Sequence, residues 1–243
     1  MNQLYLGFSR HIDLRRRRRF LYIHDEVPHI KGARVFDLSK HSLNPLQRAL
    51  THTKARELAS ALYSIYPQGE NTLTVRDGRR ALPQALMSAR RLDMVEGGEE
   101  VDALIADVLF SPLVKRVLCS RTNFSFNTAS VTLVRLNRAE IGAFDALVLG
   151  LVFINHFKGQ LIVPDFGFYA RDVHTSLIHE GRLIAGLNFL NEVSLPLRNA
   201  LLAVKDPILS GATADDATLM ARYHSHYLPG QDGFSTYVDA AMK

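Results

Sequence analysis

Cysteine is almost missing from this chain: Cys119 is the only one in 243 residues. One thiol forms neither an internal disulfide nor a cysteine-based metal site by itself, and the scarcity fits a reducing, cytoplasmic setting. Long hydrophobic runs are missing too. No run of about 18 apolar residues occurs, so no integral membrane segment is expected. The longest apolar stretch, 143–157, is interrupted by Asp145, Asn155 and His156 and suits a buried helix. The opening MNQLYLGFSRHIDLRRRRRF does not run from basic to apolar as a secretory signal does. Three catalytic strings are also absent. Without G-x-G-x-x-G there is no dinucleotide fingerprint, and without G-x-S-x-G no nucleophile elbow; Ser9 and His11 in GFSRH have no sequence-level orienting group. Without G-x-x-x-x-G-K-[S/T] there is no recognisable loop whose backbone N–H groups, lysine and hydroxyl would hold phosphates and magnesium.

What is present is an ordinary globular composition, 47% hydrophobic and 22% charged. The length allows one large domain or two small ones. The formal charge is +5, and five consecutive arginines, Arg15, Arg16, Arg17, Arg18 and Arg19, supply much of the excess. Such a run can contact nucleic-acid phosphates through counterion release; the competing reading is a solvated basic arm or a frayed helix end.

Periodicity changes along the chain. Segments 19–28 and 33–46 read as short strands, the second ending in an Asn-Pro turn. From 51 onward the apolar spacing is helical: 51–66, 78–95 with Pro83 arguing for a break or a start, and 98–118 interrupted at Ser111-Pro112. After that, strands and helices alternate: strand 130–137, helix 139–157, strand 160–169, helix 174–182, strand 183–191, helix 195–204, strand 207–211 and helix 213–227, capped by Thr213. Alternation of this kind builds a parallel sheet, and uninterrupted apolar runs such as LIV and TLV suit strands covered on both faces. The expected fold class is therefore α/β, a mainly parallel sheet flanked by helices with an all-helical insertion. A basic arm takes 1–18, the α/β domain 19–46 and 120–243, and the insertion 47–119.

The order of these pieces resembles the HerA/FtsK superfamily of P-loop ATPases, in particular its conjugative coupling-protein (TraG/TraD-like) branch. FLYIHDEVP is similar to a strand ending in an aspartate-bearing turn, VFDLSKHSLNPL to the segment after it, and VTLVRLNRAEIG to a later strand. QLIVPDFGF stands where the magnesium-binding strand would be, LIHEGRLIAGLNFL where the sensor strand would be, and ILSGATADDATLMARY resembles the closing segment. The resemblance implies a RecA-like sheet, ATP and Mg2+ as cofactors, DNA as a partner, and assembly as a homo-oligomer or with a partner ATPase subunit. It implies Asp165 as the metal ligand, Arg182 as an arginine acting in trans on a neighbouring subunit's phosphates, and Glu192, with Asn191, in place of the usual polar end of the sensor strand.

The departures are specific. The phosphate loop is missing, and the chain starts about where that loop and its helix would be finished. Asp165 is followed by Phe166 rather than by a glutamate that would orient water. A degenerate or truncated ATPase relative that does not hydrolyse nucleotide alone is one reading. A non-catalytic nucleic-acid-binding or scaffold module on the same fold is the other. Each residue also has a plainer role. Asp165 can cap the following turn, Arg182 can pair with Glu180 or Asp172, and Glu192 can be a solvated carboxylate. No dedicated zinc site is expected. His174 and His179 are five apart, His224 and His226 are two apart, and His24, Asp25 and Glu26 are adjacent, so none of these sets shares a face.

Overall fold

The computed structural model describes residues 3–6, 14, 19–65, 73–126, 130–204, 208–209 and 212–224. In chain order the elements are β1 (Gln3–Leu6), β2 (Phe20–His24), β3 (Arg34–Phe36), α1 (His52–Tyr63), α2 (Leu73–Ser88), α3 (Glu99–Val108), α4 (Pro112–Cys119), β4 (Val131–Arg135), α5 (Arg138–Ile141), α6 (Ala143–His156), β5 (Gln160–Val163), α7 (Phe166–Tyr169), α8 (Thr175–His179), β6 (Leu183–Leu187), α9 (Leu195–Leu202), β7 (Ile208–Leu209) and α10 (Ala214–His224). The fold is α/β, with parallel strand pairing and flanking helices, as the alternation of periods requires. The chain divides into two compact units, 1–24 with 159–243, and 25–158.

In the first unit the strands run in the order β2, β5, β6, β1, β7, every neighbouring pair parallel. β6 is buried at all five residues, which is why LIAGL carries no polar side chain. β5 and β6 approach so closely that a methyl group on Gly186 would stand 2.1 Å from the Pro164 carbonyl oxygen. The strand expected over 160–169 stops at Val163. Pro164 has no N–H to give a ladder, and Phe166–Tyr169 turns into a helix instead. The arm expected at 1–18 begins with β1, which pairs with both β6 and β7.

The second unit holds the parallel pair β3–β4 and helices α1 to α6. The helical stretch 47–119 carries no strand among its described residues. Pro83 does not break α2. The helix runs through it because Leu82, Ala85 and Leu86 are buried on one face. Ser111-Pro112 does separate α3 from α4, with the proline in the first turn, where its missing N–H costs nothing. The helix expected over 139–157 is two helices, divided at Gly142, whose φ of 87° is available to glycine at little cost. In α6 every residue from Ala146 to Ile154 is buried. Phe36 packs on Phe124, Phe126 and Phe153 with ring centres 5.0–5.6 Å apart, which ties β3 to α6.

Candidate functional site

The site builds up from strand order. β1 sends the chain toward β2, three places away on the β6 side. Its neighbour β6 sends the chain the other way, past β1 to β7. Adjacent parallel strands whose connections leave in opposite directions open a crevice at their carboxyl ends, the place where open α/β sheets bind ligands. Leu6 and Leu187 end the two strands in register with one another. After Leu187 come Asn188 and a single turn of 3-10 helix at Leu190–Glu192. After Leu6 the sequence continues Gly7-Phe8-Ser9-Arg10-His11, which lies outside the described residues.

Two of the sequence-derived candidates stand at this edge. Asp165 follows β5 and stands at the N-cap of α7, though its side chain makes no capping hydrogen bond there. Two residues on, Gly167 lies against Glu192: a methyl group at Gly167 would be 2.2 Å from Glu192 Oε2. The same oxygen accepts a hydrogen bond from the Asn188 N–H at 3.3 Å. The loop after β5 and the loop after β6 are thus packed together through Glu192, with two carboxylates on one sheet edge. Behind them His174 is 2% exposed; its ring lies 5.7 Å from Phe166, and its Nδ1 accepts from the Arg171 N–H at 3.2 Å. Burial, with the Arg171 guanidinium second, pushes His174 down to about 3, so the ring is neutral. Its Nε2 is buried and has no hydrogen-bond partner among the described residues.

Arg182 is elsewhere. It immediately precedes β6, and its carbonyl accepts from the Leu161 N–H at 2.7 Å and from Gln160 Nε2 at 2.7 Å. Its guanidinium pairs with Glu180 at 2.8 Å and donates to the Gly159 carbonyl at 3.3 Å. It therefore marks the amino edge of the strands. At about 3.3 Å per residue, the length of β6 puts it roughly 16 Å from the carboxyl edge. Asp172, the other carboxylate within sequence reach of it, accepts from Ser194 Oγ. Asn191 is exposed beside Glu192. Of the arginine run, Arg15, Arg16, Arg17 and Arg18 lie outside the described residues, and Arg19 is exposed just before β2.

Sequence reasoning did not single out Gly167, Asn188 or β1. The glycine and the asparagine sit in degenerate positions. β1 is a four-residue strand of unremarked apolar letters, and only its partners reveal it as an inner strand. Among the described residues no group of three or more His, Cys, Asp or Glu side chains could hold a metal ion, and no helix is long and apolar enough to cross a membrane. Two carboxylates still suit magnesium, which is commonly held by one or two protein oxygens with phosphate oxygens and water completing the shell. No family model, curated protein or solved structure matches the chain.

Proposed function

We propose that this chain is a RecA-like relative of the HerA/FtsK DNA-translocating ATPases that keeps the carboxylate half of a nucleotide site and takes its phosphate-neutralising half from a neighbouring subunit. The observation that carries this reading is the placement of Asp165 and Glu192 together at the carboxyl edge of β5 and β6, beside the crevice where β1 and β6 part. ATP with magnesium is the ligand the reading calls for, and it would supply the phosphoanhydride to be cleaved and the cation that screens its charge. Asp165 would hold the metal. Glu192, kept in place by the Asn188 N–H, would orient an incoming water. Phosphoryl transfer depends mainly on positioning and charge neutralisation. Without a lysine-bearing loop in its sequence, the chain is therefore expected to bind nucleotide weakly alone and to hydrolyse it only in an assembly, with DNA or protein as the substrate moved.

Arg182 fits this reading only in trans. At the amino edge of β6 it cannot reach the site of its own chain, whereas an arginine on that edge of a neighbouring copy could face it. The second reading, a non-catalytic nucleic-acid-binding module on the same fold, is favoured by the missing phosphate-loop string.

Calorimetry with Mg-ATP on the wild type and on Asp165→Ala separates the two. The ATPase-derived reading expects weak, magnesium-dependent heat that the substitution abolishes, with hydrolysis appearing only when the protein is concentrated or given DNA. No binding at millimolar ATP under any of these conditions would leave the nucleic-acid module.

A further inference from the structure

In the unit 25–158, the side chains of Arg90, Arg91, Lys115, Arg116 and Arg121 line one cavity of about 650 Å³ with a single acid, Asp93. Asp93 is already engaged: Arg91 Nε and Nη2 donate to its two oxygens at 2.8 and 2.5 Å. Arg90, Lys115, Arg116 and Arg121 have no ion pair within 4.0 Å among the described residues. These four cations, of which Lys115 also acts on Asp93, leave an excess of positive charge around one cavity that a bound anion would offset. Arg116 adds an independent sign. It lines the same cavity, and its Nη2, shielded from solvent, has no hydrogen-bond partner among the described residues.

The flanks of the cavity are held by hydrogen bonds that end on the backbone rather than on the cationic side chains. The turn Ser42–Gln47 grips both flanks. Asn44 Nδ2 donates to the Arg90 carbonyl at 2.8 Å, Ser42 Oγ to the Arg121 carbonyl at 2.7 Å, and the Thr122 N–H to Gln47 Oε1 at 2.6 Å. The Leu43 N–H binds the Val117 carbonyl near the end of α4 at 2.8 Å. Arg90 and Arg121 therefore leave a fixed backbone while their side chains remain exposed. No lining residue is aromatic, so the cavity offers no platform on which a base could stack. The chemistry that fits is phosphate, recognised by guanidinium forks, in a space wide enough for more than one group.

We propose that this cavity is a phosphate site that takes two or more neighbouring phosphate groups, supplied by a nucleic-acid backbone or by a small polyphosphate. It stands independently of the carboxylate edge of β5 and β6 and of the arginine run 15–19.

The test uses the full chain. A labelled short oligothymidine is titrated by fluorescence anisotropy, and inorganic tripolyphosphate by calorimetry, at about 50 and 200 mM salt. The variants are Arg90→Glu with Arg121→Glu, and Arg116→Gln. Alanine at 15–19 is the control for the arginine run. The double charge reversal is expected to weaken oligonucleotide binding by about tenfold or more, to lower the salt slope by about 1.4 for two lost phosphate contacts, and to abolish tripolyphosphate binding. Loss of tripolyphosphate binding with oligonucleotide binding intact also supports the site and assigns it to a small polyphosphate. The proposal is overturned if the wild type binds neither probe, or if only the alanine variant at 15–19 loses binding. Arg90 and Arg121 are exposed, so the double variant keeps the test valid should Arg116→Gln, checked by its melting temperature, fail to fold.

Discussion

Gly167 and Glu192 are in such close contact that the first has no room for a side chain while the second stays where it is. A methyl group at 167 would lie 2.2 Å from Oε2 and 3.0 Å from Cδ of the glutamate. What it meets first is the flexible end of a side chain, with Glu192 Cβ at 3.1 Å behind it, so the carboxylate can swing away while the backbone gives by only a few tenths of an ångström. Gly167→Ala is therefore expected to cost only about 1 kcal/mol, the net worth of the Asn188 N–H bond that Glu192 would give up. In a Glu192→Ala background, where that bond is already gone, Gly167→Ala should cost little, read as the urea midpoints of the two single variants and the double variant. If Gly167→Ala costs the same with or without Glu192, the contact is not what fixes the glycine.

Gly186 is the opposite case. The atom a methyl group would meet at 2.1 Å is the Pro164 carbonyl oxygen, part of the backbone leaving β5. That oxygen cannot turn aside without moving the strand. Gly186→Ala should cost about 3 kcal/mol or more, well above Gly167→Ala, and lower the yield of folded protein. Equal melting temperatures for the two variants would contradict the close approach of β5 and β6.

The contrast between these glycines shows how far the sequence could be read. Asp165 was visible because an apolar run leads into it, and such runs end at the carboxyl edge of a parallel sheet. Glu192 was visible only through a resemblance. Their placement on one edge depends on where two loops fold back after different strands, which no local pattern encodes. The strands at Val131–Arg135 and Leu183–Leu187 and the helices from 51 onward were legible from period alone, although the strand expected over 183–191 ends at Leu187 and gives way to a 3-10 turn at Leu190–Glu192. Gly142, by contrast, splits the helix expected over 139–157 because its positive φ outweighs an apolar run that reads as continuous. β1 went unread because four residues carry too little period to stand out, although it lies between β6 and β7. The cationic cavity draws on three distant segments, the turn at 42–47, the end of α2 and the end of α4, each unexceptional in isolation.

Asp25 and Arg138 make a second relationship across sequence. The Arg138 fork closes on the carboxylate, with Nε at 2.8 Å from Oδ2 and at 3.0 Å from Oδ1, and the Arg138 N–H also donates to Oδ1 at 3.2 Å. The side chains are only 25% and 32% exposed, so the pair is worth more than a surface bridge. Arg138→Leu leaves a partly buried carboxylate with fewer donors and is expected to cost about 2 kcal/mol. Arg138→Lys should recover less than half, because a single ammonium cannot reproduce the fork. Thermal melts of the three proteins decide it: a lysine variant as stable as the wild type would mean that charge alone matters there.

His174 gives the chain a pH dependence whose sign is fixed. The native ring stays neutral down to about 3, while the unfolded ring protonates near 6.5. Between those values the unfolded state binds the extra proton, so this group's share of stability is present above 6.5 and is lost as the pH falls toward 3. The slope is about 1.4 kcal/mol per pH unit. His174→Gln removes the titration and can still accept from the Arg171 N–H through its side-chain oxygen. The variant should be less stable than the wild type at pH 7.5. Its deficit should shrink by about 1 kcal/mol or more by pH 5.5, measured by urea denaturation at both values. A deficit that does not change with pH would mean that the native ring takes up its proton as readily as the unfolded one, and that Arg171 and the packing around Phe166 leave it open to water.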